Sequence, residues 1–181
     1  MGIRLVVLDR DGVINCDSDF FIRSAEEWVA IEGSVEGIAL LSKHGFTVAV
    51  ASNQSGLARG HFDLAALEGI HRKMCAEVRA AGGQIDRIVY CPHGPGEGCD
   101  CRKPAPGLLQ QLGEHYGVSM AGVPFIGDAE RDLDAARAIG ARPVLVRTGK
   151  GGVTETSLVE GIEVYDNLLH AAHALVAERD H

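Results

Sequence analysis

The sequence predicts an α/β fold, a doubly wound parallel sheet with helices on both faces. Two observations predict it. Short apolar, β-branched runs alternate with longer segments of helical period along the whole chain, the mark of strand-helix-strand units. The residues capable of chemistry cluster directly after the strand-like runs, where open parallel sheets collect their ligands.

"RLVVL" (4–8) reads as a buried strand, and "SVEGIALLSKHG" as a helix with Ser34 as N-cap and Gly45 as its stop. "FTVAVA" (46–51) is the second strand. Residues 63–81 form a helix in which Leu64, Leu67, Ile70, Met74 and Val78 share a face before Gly82-Gly83 ends it. "RIVY" (87–90) is the third strand and leads into "CPHGPGEGCDCRKP". A helix carrying Leu108, Leu109, Leu112 and Tyr116 comes next, then the strand "VPFI" (123–126), a helix over 131–139 and the strand "RPVLV" (142–146). A weaker strand near Ile162 and a last helix from Leu168 complete the fold, while "TGKGGVTETS" (148–157) reads as a mobile loop.

At 181 residues and 46% hydrophobic composition the chain is expected to form one domain, residues 1–181. No run approaches the roughly 20 apolar residues that cross a bilayer, and the N-terminus turns charged before a signal peptide could be completed. Val6 breaks the N-myristoylation pattern. A cytoplasmic protein with no membrane association is expected. A net charge of −8 without any long Lys/Arg run argues against nucleic acid, so the expected partner is a small molecule. The oligomeric state is not fixed by the sequence, with a monomer favoured.

The strand endings carry the chemistry. They are Asp9-Arg10-Asp11-Gly12, then Ser52-Asn53-Gln54-Ser55, then the cysteine loop with Arg102-Lys103, then Gly127-Asp128 with Asp132 beyond. Asp9 and Asp128 on neighbouring tips would repel one another unless a cation lay between them, and hard oxygen ligands suit Mg²⁺. Carboxylates, Mg²⁺ and a lysine describe a phosphoryl-transfer site. Asp9, ionised at neutral pH, can form an aspartyl-phosphate. Asp11, two residues on, can protonate the leaving oxygen and later deprotonate water. Ser52 and the amides after it can bind phosphate oxygens, with Lys103 as a fixed positive charge. Alone, each motif reads as a turn or a capped helix start. All four in order, each after an apolar strand, make that reading untenable.

Three of the five cysteines lie within residues 91–101. With His93 they give C-x-H-x₅-C-x-C, so Cys91, His93, Cys99 and Cys101 are a candidate tetrahedral zinc site, structural because the protein fills all four positions. A disulfide would need a strained bridge across Cys99-Asp100-Cys101 or leave a thiol over, and no C-x-x-C redox pair is present.

"LDRDGV", "ASNQSG", "CDCRKP" and "IGDAERD" resemble, in order, the four motifs of the haloacid dehalogenase superfamily of phosphohydrolases. With "NQSGLARG", the Cys/His loop and "VRTGKG", residues 5–151 are similar to its D-glycero-D-manno-heptose-1,7-bisphosphate 7-phosphatases. The resemblance implies Asp9 as nucleophile, Asp11 as acid/base, and Ser52, Asn53 and Lys103 as phosphate contacts. It implies Mg²⁺ held by the Asp9 carboxylate, the Asp11 carbonyl and Asp128. It also implies that Arg102 stabilises the phosphoryl group and that Asp17, Gln54 and Ser55 lie near the substrate. The implied activity is Mg²⁺-dependent removal of the C7 phosphate of a heptose bisphosphate, in the synthesis of nucleotide-activated heptose for lipopolysaccharide core. Histidinol-phosphate phosphatase is the alternative within the same chemistry, and a zinc-stabilised phosphometabolite-binding protein without catalysis the alternative outside it. The 43 positions from Asp9 to Ser52 and the 51 from Ser52 to Lys103 leave no room for a large cap domain. Ala129 stands where many superfamily members have a substrate-contacting lysine, so that contact is either missing or supplied by Arg131 or Lys150.

Overall fold

The computed structural model describes residues 2–158 and 161–178. The full span expected for the domain, 1–181, therefore includes a few residues outside the described ones. Twelve elements are found among the described residues, all but α5 as anticipated: β1 (Leu5–Leu8), α1 (Ser34–Lys43), β2 (Thr47–Asn53), α2 (Leu64–Ala80), β3 (Arg87–Cys91), α3 (Gly107–Tyr116), β4 (Pro124–Gly127), α4 (Glu130–Ala138), β5 (Arg142–Val146), α5 (Gly151–Glu155), β6 (Glu163–Tyr165) and α6 (Leu168–Ala177). The strands form one all-parallel sheet in the order β3-β2-β1-β4-β5-β6. The chain thus runs outward from β1 in one direction and restarts beside β1 in the other. The crevice between the carboxyl ends of β1 and β4 lies at this reversal, the place where such sheets bind ligands.

The period of two along β1 divides the core into two layers. Val6 and Leu8 pack with Val48, Val50, Ile126, Ile38, Leu41, Ile70, Met74 and Leu168 on the face covered by α1, α2 and α6. Leu5 and Val7 pack with Ala49, Ala51, Phe125, Leu108, Leu109 and Leu112 on the face covered largely by α3 and α4. All four residues of β1 are buried, as a central parallel strand requires. Pairing of Leu5 to Thr47 through Leu8 to Val50, and of Leu8 to Ile126, brings Asp9, Ser52 and Asp128 to the same edge.

Three local expectations are corrected. Gly33, with φ at 82°, occupies the N-cap of α1, and Ser34 begins the helix with its hydroxyl donating to the Ile14 carbonyl at 2.6 Å. That hydroxyl ties the long β1–α1 connection to the helix instead of capping its amides. The segment 148–157 is tied down in place of the mobile loop expected: it contains α5, Thr148 Oγ1 donates to the Gly12 carbonyl at 2.7 Å, Thr154 Oγ1 donates to the Asp128 carbonyl at 2.8 Å, and Arg147 pairs with Glu155 and Asp166. Its glycines, which suggested looseness, allow close backbone approach; a Cβ on Gly151 would collide with the Val146 carbonyl. Asp63, read as the first residue of the second helix, instead caps α2, accepting from the Ala66 amide at 2.8 Å.

Candidate active site

Asp9 leaves β1 with its backbone N–H still donating to Ile126 on β4, so the sheet itself sets its position. Its carboxylate, 3% exposed, accepts from the Arg10 amide at 2.8 Å and lies 2.8 Å from Lys103 Nζ. The Lys103 ammonium is also buried. It lies 2.8 Å from Asp132 Oδ1 and donates to the Ala51 carbonyl at 2.9 Å, which matches its three donors with three acceptors. Burying a lysine is costly unless paired in this way. The two flanking carboxylates hold its proton more firmly than usual against the opposing effect of burial.

Asn53, expected at the phosphate, spends its side-chain amide on Lys103: Nδ2 donates to the Lys103 carbonyl and Oδ1 accepts its N–H, both at 3.0 Å. The end of β2 therefore clamps the lysine's backbone. Asp132 is a second brace. Its Oδ2 accepts the amides of Asp128 and Ala129 at 3.2 and 3.1 Å while Oδ1 faces Lys103, and the residue is fully buried. The sequence placed Asp132 near the site without a role.

Carboxylate oxygens of Asp9, Asp128 and Asp132 lie within 4.8 Å of one another. Three carboxylates share Lys103 within the cluster and Arg131 beside it, which leaves them one positive charge short of balance. Asp132 is already committed, but Asp128 is not: Oδ2 accepts the Lys150 amide at 2.8 Å, whereas Oδ1 is buried with no hydrogen-bond partner among the described residues. An orphaned buried carboxylate oxygen beside Asp9 fits a hard divalent ion such as Mg²⁺. Two glycines with positive φ, Gly12 at 83° and Gly149 at 59°, flank the Asp128 carboxylate so closely that a Cβ on either would collide with it.

The electrostatics agree with a cation site and qualify one expectation. Burial first, then the neighbouring Asp132 and Asp128, push Asp9 up to about 8 against the pull of Lys103. Burial likewise pushes Asp128 up to about 6. The upward push on Asp9 means that a cation at the site would favour the carboxylate that attacks, over and above what Lys103 provides. Both raised values mean that the metal-free native state gains stability from holding these protons at low pH and loses it as pH rises towards about 8. Mg²⁺ competes with the protons, so its stabilisation grows over the same interval. The expected result is a larger rise in Tm on adding Mg²⁺ at pH of about 8 than at about 6, read by thermal denaturation. An equal rise at both would refute the site.

Asp11 stands apart from this cluster, half-buried on the crevice wall. The fully buried Arg10 guanidinium grips it through Nε to Oδ1 at 3.0 Å and through Nη2 to Oδ1 and Oδ2 at 2.9 and 3.1 Å. Asn15 Nδ2 donates to Oδ1 at 2.9 Å and Gln54 Nε2 to Oδ2 at 3.0 Å. Burial would raise its pKa, but the Arg10 charge and these hydrogen bonds outweigh it, and the net shift is downward. Arg10 and Asn15 were not singled out from sequence. The available signal was an arginine between two aspartates straight after a buried strand, where a solvated side chain has no room.

The crevice encloses about 200 Å³. Asp17, Gln54, Ser55 and Arg102, expected near the substrate, all line it, and so do both candidates to replace the missing lysine, Arg131 and Lys150. Ser52 lies beneath, 1% exposed. Lys150 Nζ reaches to 3.6 Å from Asp17, drawing the β5–α5 loop towards the β1–α1 loop across the opening. Arg102 Nη1 donates to the His93 carbonyl at 3.1 Å, so the crevice wall continues into the cysteine loop.

In that loop the ligand atoms of Cys91, His93, Cys99 and Cys101 lie within 4.8 Å of one another. Cys91 Sγ is 3.7 Å from Cys99 Sγ and 3.4 Å from His93 Nδ1, and His93 Nδ1 is 3.3 Å from Cys101 Sγ. Such spacings approach the edges of a tetrahedron built on Zn–S bonds of about 2.3 Å and Zn–N bonds of about 2.1 Å. All are too long for disulfides, and the cysteines are free. Burial first, then the adjacent thiols, push Cys101 up to about 12, so a thiolate there needs a cation beside it. The donor set and its spacing fit zinc.

A reversal-point crevice with a lysine-paired aspartate on β1, a second aspartate two residues later and an orphaned carboxylate after β4 defines a phosphohydrolase of the haloacid dehalogenase type. The HAD-hydrolase-like family matches residues 100–171. D-glycero-beta-D-manno-heptose-1,7-bisphosphate 7-phosphatase of Pseudomonas aeruginosa is 55% identical over 97% of this chain and 99% of its own length, and that of Bordetella bronchiseptica 48% identical over 97% and 99%. The chain belongs to this family. A crystal structure of D,D-heptose 1,7-bisphosphate phosphatase from B. bronchiseptica, complexed with magnesium and phosphate, superposes with a TM-score of 0.95 over 97% of this chain and 99% of that one, at 48% identity.

Proposed function

We propose that this protein removes the C7 phosphate of D-glycero-β-D-manno-heptose 1,7-bisphosphate through a phospho-aspartate on Asp9. The observation that carries the reaction is the contact between Asp9 and Lys103 inside a buried carboxylate cluster, two residues from Asp11 on the crevice wall. Full-length relatives with that activity in their names support the substrate and the β anomer.

The chain's own groups divide the work. Asp9 attacks phosphorus, and Lys103, held on three sides, faces the charge that gathers on the phosphoryl oxygens. Ser52 and the backbone amides beyond it bind phosphate oxygens, with Arg102 at the rim. Mg²⁺, held by Asp9, the Asp11 carbonyl and Asp128, would supply charge neutralisation and fix the phosphate against Asp9. Asp11 protonates the departing sugar oxygen and afterwards draws a proton from the attacking water. Because Arg10 keeps Asp11 ionised in the free protein, the first of these protons arrives with the substrate or as its negative phosphate enters. A halide leaving group needs no such proton, so Asp11 speaks against dehalogenation. Zinc on Cys91, His93, Cys99 and Cys101 holds the loop that delivers Arg102 and Lys103.

The test is phosphate release from the purified protein with Mg²⁺, comparing the heptose bisphosphate with histidinol phosphate and a panel of other phosphosugars. The expected result is kcat/KM highest for the bisphosphate and at least about tenfold above histidinol phosphate, the discrimination about 1.4 kcal/mol provides. A reversed order would transfer the protein to the other substrate.

A further inference from the structure

Gln54 lies one residue beyond β2, buried at 4% exposure, with its backbone N–H held by the Cys91 carbonyl at 2.8 Å. Its side-chain amide touches three of the site's groups. Nε2 donates to Asp11 Oδ2 at 3.0 Å and to Ser52 Oγ at 2.8 Å, and Oε1 accepts from Arg10 Nη2 at 3.3 Å. The orientation of this amide is dictated by its partners. A guanidinium can only donate, so the oxygen faces Arg10; an ionised carboxylate can only accept, so the nitrogen faces Asp11. Both hydrogens of Nε2 are thereby used.

Ser52 is oriented in turn. Its hydroxyl makes no other side-chain hydrogen bond among the described residues and receives the Gln54 bond as an acceptor. A hydroxyl that accepts keeps its own hydrogen available, and no acceptor among the described residues takes it here. The chain of donors Arg10, Gln54, Ser52 therefore has one direction, ending in a hydrogen offered to an incoming phosphate oxygen. The same amide holds Asp11 at the leaving-group side.

From this geometry we infer that Gln54 is a positioning residue, which turns the Ser52 hydroxyl into a committed donor to the phosphoryl group and aligns the Asp11 carboxyl with the leaving oxygen. Such a role differs from the sugar contact expected from sequence, since no polar hydrogen of its side chain is left for substrate. It rests on the phosphatase reading above.

The experiment compares two substrates and two substitutions. The heptose bisphosphate has an alkoxide leaving group that needs the Asp11 proton; p-nitrophenyl phosphate has a phenolate that leaves without one. Gln54→Glu keeps the shape but replaces a donor by an acceptor, reversing Ser52 and placing a negative charge against Asp11. Expected is a fall in kcat of about 10²- to 10³-fold on the bisphosphate, within the range of a lost general acid, against about tenfold on p-nitrophenyl phosphate. Gln54→Met removes the bonds without adding charge, and its expected loss on the bisphosphate exceeds that on p-nitrophenyl phosphate by about tenfold, one hydrogen bond's worth. Should the Glu variant fail to fold, judged by thermal denaturation and zinc content, the Met variant decides on the same ratio. Equal losses on both substrates, or bisphosphate turnover within about twofold of the parent, would overturn the inference. If the parent protein releases phosphate from neither substrate, the inference falls together with the reading it rests on.

Discussion

Asp9→Asn is expected to abolish turnover while leaving the fold and the Cys91–Cys101 loop in place. Removing the nucleophile takes away the covalent step itself, and losses on this scale in enzymes acting through a covalent intermediate reach about 10⁴- to 10⁶-fold in kcat. The substitution is nearly isosteric and removes a charge that burial and two neighbouring carboxylates already oppose. Lys103 keeps Asp132 and the Ala51 carbonyl as partners. Stability in the absence of Mg²⁺ is accordingly expected to stay level or rise, while the Mg²⁺-dependent rise in Tm shrinks. Rapid quenching of the parent protein during turnover should trap a phosphoryl group on residue 9. A protein that only bound phosphometabolites would give no adduct and show no turnover for the substitution to remove, and that outcome would end the catalytic reading.

Stripping zinc is expected to lower both thermal stability and activity, the latter by at least about 100-fold. Cys101 lies two residues before Lys103, and Cys91 ends β3, so the proposed ion joins a strand of the sheet to the segment carrying the lysine. Without it, three thiols and an imidazole at 3.0 to 3.7 Å have no reason to stay together, and binding free energy that also holds structure is lost. The Asn53 clamp and the Ala51 carbonyl retain part of the lysine's placement, which is why the loss is expected to be large without being total. Metal analysis before and after treatment with a strong chelator, with Tm and kcat on the same samples and Mg²⁺ restored, provides the check. An unchanged Tm after proven removal of zinc would refute the structural role.

The strands, their order of chemistry and the helices were legible because each depends on local period and on the residues immediately beyond a strand. Asp9, Asp11, Ser52, Lys103 and Asp128 could be read as one site because parallel strands deliver their ends to one edge. The features hidden from sequence depend on partners distant along the chain. Asn53 and Lys103 are 50 positions apart, Thr148 and Gly12 are 136 apart, and nothing local marks either pair. Asp132 looked like an ordinary first-turn acid of a helix, and only its burial against Lys103 reveals the brace. In the segment 148–157, read as mobile, Gly149 makes room for the Asp128 carboxylate and Gly151 for the Val146 carbonyl.

The crevice has no large cap over it, only the short loops joined by Lys150 and Asp17. A sugar that departs past Asp11 would leave an open, water-filled crevice next to a phosphorylated Asp9. Any alcohol hoping to receive the group must outcompete the most abundant molecule in the cell at an unguarded doorway. The architecture thus commits the intermediate to hydrolysis over relay of phosphate to a second acceptor, and the cycle ends in inorganic phosphate.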